Sequence, residues 1–310
     1  MLPCSTDEAK RGACLNRRLT LLFSLYALLP TLVVPLLLPL SPLWGWLLLP
    51  LALLTNSWWA FQHEAMHGLL YEDKRINRLV GCLHAIAYGA AFDLLRWGHL
   101  LHHAHSRTRR ERSEVYEGER PSAAFVTGYY LRLLGGLYWA EVIGTLLLLL
   151  PRKLLMELIK ALDRPDNVIG ELGERLLEAA TLHEARRDAL AVLLFHTVVF
   201  WLYGEQAWMY GLLLVGRALA ISLVDNVFHY GTALDVPRQA MNLALPAPLS
   251  RMLLHFNLHG AHHLRPGLAW WQLPAYHRAH ELGFQDRWWP ALWRQLRGPI
   301  AAARLPVAIV

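Results

Sequence analysis

Charge is what this sequence has least of. Only 17% of its 310 residues are Asp, Glu, Lys or Arg, while 55% are hydrophobic. That balance excludes an ordinary soluble domain and fits a chain that crosses a bilayer several times. Residues 19–62 contain no charged side chain at all. As helix they would extend about 66 Å, close to two hydrocarbon thicknesses. Cysteine is almost as scarce. Cys4, Cys14 and Cys82 are odd in number and lack a metal-site spacing, which excludes a disulfide framework and an iron–sulfur cluster and fits a reducing compartment. There is no internal repeat and no low-complexity segment.

The charges that are present carry a net excess of +6. Lys10, Arg11, Arg17 and Arg18, and later Arg107, Arg109, Arg110 and Arg112, flank apolar segments. That placement points to anchoring by the positive-inside rule and to anionic lipid rather than to nucleic acid. The first apolar run is too long for a signal-peptide core, and no small-residue cleavage site follows it.

Residues 1–18 form a polar, basic tail. Spans are expected over 19–40 and 43–62, with Pro35, Pro39 and Pro42 at the hairpin turn. A second hairpin is expected over 189–203 and 207–228, turning at Gly204-Glu205-Gln206. The segment 123–150 is also apolar. If it spanned, the Arg-rich stretch 151–187 and the last histidines would lie outside, about 30 Å of hydrocarbon from the others. It is therefore expected to be interfacial or re-entrant, with Gly135-Gly136 as a break. The alternative is that 123–150 spans and 189–228 does not.

Against this background stand three histidine clusters: His63-Glu-Ala-Met-His67, His99-Leu-Leu-His102-His103 and His259-Gly-Ala-His262-His263. With sixteen histidines in the chain, chance gives about 0.8 HxxxH matches but only about 0.04 HxxHH matches. The two HxxHH clusters are the specific signal. Side chains at i, i+3 and i+4 share a helix face, so each HxxHH is expected to present three imidazoles to one point. His229 leaves the last span four residues after Asp225, as His63 and His67 leave the second. The alternative is a histidine-rich surface that titrates with pH.

Nine imidazoles exceed what one ion can bind and fit two, with positions left open. Zinc rarely takes so many ligands and has no redox chemistry. Imidazole suits iron, and open positions on iron allow oxygen activation. The reading from residues is a membrane metalloenzyme with a pair of metals.

These residues resemble the membrane-bound, histidine-rich di-iron superfamily of fatty acid desaturases, whose relatives include carotenoid ketolases, hydroxylases and alkane hydroxylases. The likeness rests on His63-Glu-Ala-Met-His67-Gly68, on His99-Leu-Leu-His102-His103, and on Asn257-Leu-His259-Gly-Ala-His262-His263-Leu-Arg-Pro266. Trp270-Trp271-Gln-Leu-Pro274 and His277 follow. It implies an all-α integral membrane protein forming one domain over residues 1–310. Two hairpins, about four spans, would carry interfacial helices and a cytosolic helical cap holding the di-metal site, in the inner membrane if the source is bacterial. It implies His63, His67, His99, His102, His103, His229, His259, His262 and His263 as ligands of two irons, with molecular oxygen as co-substrate. An acyl chain would thread a tunnel beside them.

The family often has Asn where Asp225 stands, with Asn226 one residue later. Asp225 is then a direct ligand, a partner through water, or a residue that orients His229. His105, Glu64 and Glu114 are candidates for orienting the ligands, the alternative for the two carboxylates being a plain surface position, the reading favoured for Glu114. Arg217, in mid-span, is a candidate for the substrate path and needs a partner such as Asp225, Glu141 or a substrate headgroup; the alternative is a helix break or a cavity-lining residue paired to structure. Trp270 and Trp271 are candidates for the substrate path, or simply packing. His84, His183, His196, His255 and His280 fit no ligand register.

The reaction implied is removal of hydrogen from an unactivated C–H of a fatty acyl chain, giving a double bond. Hydroxylation, ketone formation on a carotenoid and oxidative decarboxylation to a terminal alkene use a similar site. A membrane metal transporter is the non-enzymatic alternative, although transport sites lie near the midplane. Electrons would come from a separate ferredoxin or cytochrome b5-type carrier, and the basic surface around Arg107–Arg112 would dock that carrier or bind lipid.

Overall fold

The computed structural model describes residues 6–236 and 238–306. Cys4 lies outside the described residues, and Cys14 and Cys82 are free thiols. The chain is helical, with two two-stranded parallel ladders: Val115–Tyr116 with Ile300–Ala301, and Leu243–Ala244 with Asp286–Arg287.

Among the described residues, two stretches are long and apolar enough to cross a membrane, Lys10–Leu37 and Ala179–Val227. In the first, the helix Thr6–Leu28 widens into a π turn, Leu29–Val33, before one more α turn. Pro30 and Pro35 explain the widening, since neither can donate to the helical ladder. The carbonyl of Pro30 accepts instead from the Tyr203 hydroxyl at 2.6 Å. Left unpaired in this buried place it would cost about 1–3 kcal/mol.

The second stretch folds back at 204–206 between the helices Ala179–Tyr203 and Ala207–Val227. His196 and Tyr210, on opposite sides of the turn, meet at 3.0 Å.

The expected span over 43–62 is built in pieces. A 3-10 stretch, Pro42–Leu47, leads into the short helices Leu48–Leu53 and Thr55–Met66, offset at Leu54. Pro42 and Pro50 again deny the ladder two donors.

Residues 123–147 are two helices, Ala123–Leu131 and Leu137–Leu147, separated by a kink at Leu134 and Gly135. Gly135 has φ 118°, a conformation that only glycine takes without strain. It packs against Ala218, which a Cβ would approach to 3.2 Å.

The helices Lys74–Tyr88 and Phe92–His105 meet at 99°. Arg78 braces that corner, donating to both oxygens of Asp93 at 2.8 and 2.6 Å and pairing with Glu184. The corner swings the second helix so that its histidines face those of Thr55–Met66.

Arg217 is 1% exposed. It meets neither expected carboxylate. It donates to the carbonyls of Ala87 and Tyr88 and lies 4.8 Å from the Trp58 ring. Helix-end carbonyls and an aromatic face take the place of an ion pair.

Candidate metal centre

Four segments bring nine imidazoles together. His63 is in the Thr55–Met66 helix and His67 ends it. His99, His102 and His103 lie in the last two turns of Phe92–His105, and His259, His262 and His263 on the short helix His259–Leu264. His229 sits just beyond Val227.

The short helix is pinned by its neighbours. Asn242 accepts from the Ala261 amide at 2.9 Å, and Asn257 donates to the Leu243 carbonyl at 2.8 Å. A Cβ at Gly260 would lie 2.6 Å from the Ala240 carbonyl oxygen, so only glycine lets the helix seat this closely.

The imidazoles form two groups. His63, His67, His99, His103 and His262 make one, and His102, His229, His259 and His263 the other, with the ligand atoms of each group within 4.8 Å of one another. The expectation that each HxxHH aims three rings at one point is corrected here. Consecutive helix residues diverge by about 100°, so His102 leaves the group of His99 and His103, and His262 leaves the group of His259 and His263. Each HxxHH box serves both groups.

The donor set fits metal ions. Nε2 of His99 is 2.8 Å from Nε2 of His67 and 3.0 Å from that of His103, which is 3.0 Å from that of His262. In the other group, Nε2 of His263 and His259 are 3.0 Å apart. Nitrogens sharing one ion at about 2.1 Å would be spaced about 3 Å apart. Nε2 of His63 and of His229 is buried with no hydrogen-bond partner, which is costly unless something else satisfies it. Burial and the neighbouring imidazoles hold His259, His262 and His263 well below the usual histidine range. Those three rings are thereby held toward the neutral form, with a lone pair free to ligate, whereas His102, which burial lowers, is raised on balance by the Glu111 carboxylate.

Second partners fix which nitrogen faces inward. Glu111 Oε1 accepts from Nδ1 of His102 at 2.6 Å. Nδ1 of His229 lies 3.2 Å from both the Gln239 carbonyl and the Ser106 hydroxyl. With the proton on Nδ1, each ring turns a bare Nε2 to the centre. None of Glu111, Ser106 and Gln239 stands at a helical spacing from the histidine it touches. The sequence offers no signal for them.

The other candidates are dispersed. Asp225 joins neither group. It is half-buried, 3.5 Å from Arg132, and shares with His102 and His229 a cavity of about 20 Å³, room for about one water. Asn226 turns away, donating to Gln295 Oε1 at 2.8 Å. His105 also turns away, to Glu171 at 2.9 Å.

Glu64 is buried beside His63, 3.9 Å from its Nδ1, and accepts from the Trp270 amide at 3.1 Å. Burial pushes its carboxyl up to about 8, and a cation at the neighbouring histidines would pull it back down. Trp270 also donates to Asn16 at 3.0 Å, and Trp271 closes over Gly12. Trp270 thus ties the N-terminal helix to Glu64, beside His63, and Trp271 packs on the same helix.

Glu114 is no surface carboxylate: it is 2% exposed and pairs with Arg107, itself 1% exposed. Arg110 pairs with Glu171 and Arg112 with Glu117, leaving Arg109 exposed. The expected continuous basic surface is therefore largely consumed within the protein.

No curated protein sequence matches the chain. A family model described as fatty acid desaturase matches residues 16–294, a range that contains every histidine of both groups. With that match over most of its length, and with two imidazole groups able to hold metal, the chain belongs to the fatty acid desaturase family.

Proposed function

We propose that this protein is an oxygen-dependent di-iron oxidoreductase that removes hydrogen from an unactivated C–H of a fatty acyl chain and leaves a double bond. The observation that carries this reading is the division of nine imidazoles into neighbouring groups of five and four. Two ions are the natural complement, and redox-inactive zinc could not oxidise an unactivated C–H. Iron bound there, with dioxygen, supplies the oxidising power for an unactivated carbon.

The protein's own residues supply the rest. The five histidines of the first group close one position, whereas the second has only four. We assign Asp225 to a water in the cavity that it shares with His102 and His229, which completes the smaller group through water. A cleft of about 490 Å³ reaches His103, lined by Leu100, Ala104, Val236 and Pro266 together with the polar Ser106, Thr108, Asp235 and Arg238, and we assign it to the approach of the acyl substrate. Trp270 and Trp271 shield the opposite side from water.

Topology follows from convergence. His67 ends the second apolar segment and His229 the fourth, and both point into one centre, so the chain crosses the bilayer an even number of times between them. Four crossings, over Lys10–Leu37, 42–62, 189–203 and 207–228, satisfy this, with 123–147 lying at the interface. With the basic N-terminus in the cytosol by the positive-inside rule, the centre lies on the cytosolic side in this reading. Electrons arrive from a separate ferredoxin or cytochrome b5-type carrier.

The test is mass spectrometry of lipids and free hydrocarbons from cells that express the chain together with a ferredoxin and its reductase, beside a His262→Ala control. A species two hydrogens lighter, absent from the control, is expected. An added oxygen would move the assignment to hydroxylation or ketone formation, and a shortened terminal alkene to decarboxylation. Identical profiles would contradict an oxidase.

A further inference from the structure

Arg107 stands where the chain leaves the Phe92–His105 helix, in the left-handed conformation with φ 65°. Its guanidinium has three acceptors. Nη1 donates to Glu114 Oε1 at 2.5 Å, Nη2 to the Thr232 carbonyl at 2.6 Å, and Nε to the Ala233 carbonyl at 3.3 Å. The backbone repeats the link, since the Asp235 amide donates to the Arg107 carbonyl at 2.9 Å and the Arg107 amide to that of Glu111 at 3.2 Å. Thr232 and Ala233 closely follow His229, as Arg107 closely follows His102. One buried side chain therefore joins the exits of two ligand-bearing helices. Ser106 and Glu111, which touch His229 and His102, belong to the same knot.

The two imidazole groups depend on this knot unequally. His102 and His229 provide half of the four-histidine group. The five-histidine group takes His63, His67, His99 and His103 from two helices that the Arg78–Asp93 corner and the core already fix. A planar fork matches three acceptors arranged this way, and a guanidinium or carboxylate this deeply buried must keep its partners.

We propose that Arg107, held by Glu114, is the positioning residue that sets the spacing of His102 and His229, so that the four-histidine position depends on it and the five-histidine position does not. The inference rests on the reading of the nine histidines as two metal positions.

The test counts metal in the full chain, purified in detergent, stripped and reloaded anaerobically with ferrous iron. Wild type is expected to hold two ions per chain. Arg107→Met and Glu114→Gln should each hold one, at an unchanged gel-filtration position. Adding His263→Ala to Arg107→Met should lower the count no further, whereas adding His67→Ala should empty the chain, because residues serving one position are not additive and residues serving different positions are. Two ions in both single variants, or none in both, would overturn the proposal. A wild type that binds no iron would instead overturn the two-metal reading, which keeps the two failures apart.

Discussion

His102 and His103 are neighbours in sequence yet belong to different imidazole groups, their ring planes 71° apart. His262 and His263 divide in the same way, at 84°. The two boxes are reciprocal. One gives its i, i+4 pair to the five-histidine group and its i+3 ring to the other, and the second box does the reverse. Both groups are thereby stitched together by the same two helices.

That stitching makes a prediction about pairs of substitutions. His102→Ala combined with His263→Ala should cost no more bound metal than either alone, since both belong to one group. His102→Ala combined with the adjacent His103→Ala should empty both positions. Elemental analysis of the purified variants distinguishes these, and equal losses for the two pairs would contradict the assignment.

Glu111→Gln keeps the shape of the side chain and weakens the acceptor for Nδ1 of His102. Loss of such a partner lowers metal affinity by about 10–100-fold. Chelator competition should show one of the two ions released earlier and the other unchanged. Two unshifted release steps would show that Glu111 does not orient the ligand.

Stability should depend on pH chiefly through lowered rings, with His102 opposing them, since burial lowers its value but the Glu111 carboxylate raises it on balance. Burial and neighbouring imidazoles hold His229, His259, His262 and His263 well below their ordinary value of 6.5. As pH falls through about 6.5 the unfolded chain takes up protons on these rings and the folded, metal-free chain does not. The unfolded state therefore gains, and stability declines from there downward until the folded values are reached. Thermal unfolding of the metal-free protein in detergent should show a lower midpoint at about pH 5.5 than at about pH 7.5, and bound metal should raise it at both. A flat profile would mean that the rings are not held neutral.

Gly260→Ala places a methyl group 2.6 Å from a backbone oxygen. The carbonyl belongs to Ala240 and has no flexible end to swing away, so the helix that carries His259, His262 and His263 must shift. Displacements of about 1 Å at such a site are enough to disable it. Loss of metal from both positions is expected, with helical content unchanged by circular dichroism. Full metal retention would contradict the close seating.

The sequence carries the histidines and their helical registers openly, because ligand spacing on a helix is a one-dimensional property. It does not carry the division of the rings between two groups, which depends on how the helices are turned toward each other. Glu111, Arg107 and Glu114 escape for a related reason. They act from a loop, where no periodicity marks them, and the Arg-rich run in which they sit reads as surface charge until its members are seen paired. The second apolar segment reads as one span because composition sets hydropathy, while Pro42 and Pro50 set where the helix can run. Arg217 demanded a partner on electrostatic grounds, and the partner proved to be carbonyls and an indole face, which leave no charge pattern in the sequence.

The central claim is that nine imidazoles hold two irons, and X-ray absorption at the iron edge of the purified, reloaded chain tests it most directly. The account predicts two irons per chain, each with a shell dominated by imidazole nitrogen at about 2.1 Å. A single iron, or a shell of carboxylate oxygen with little imidazole scattering, would contradict it.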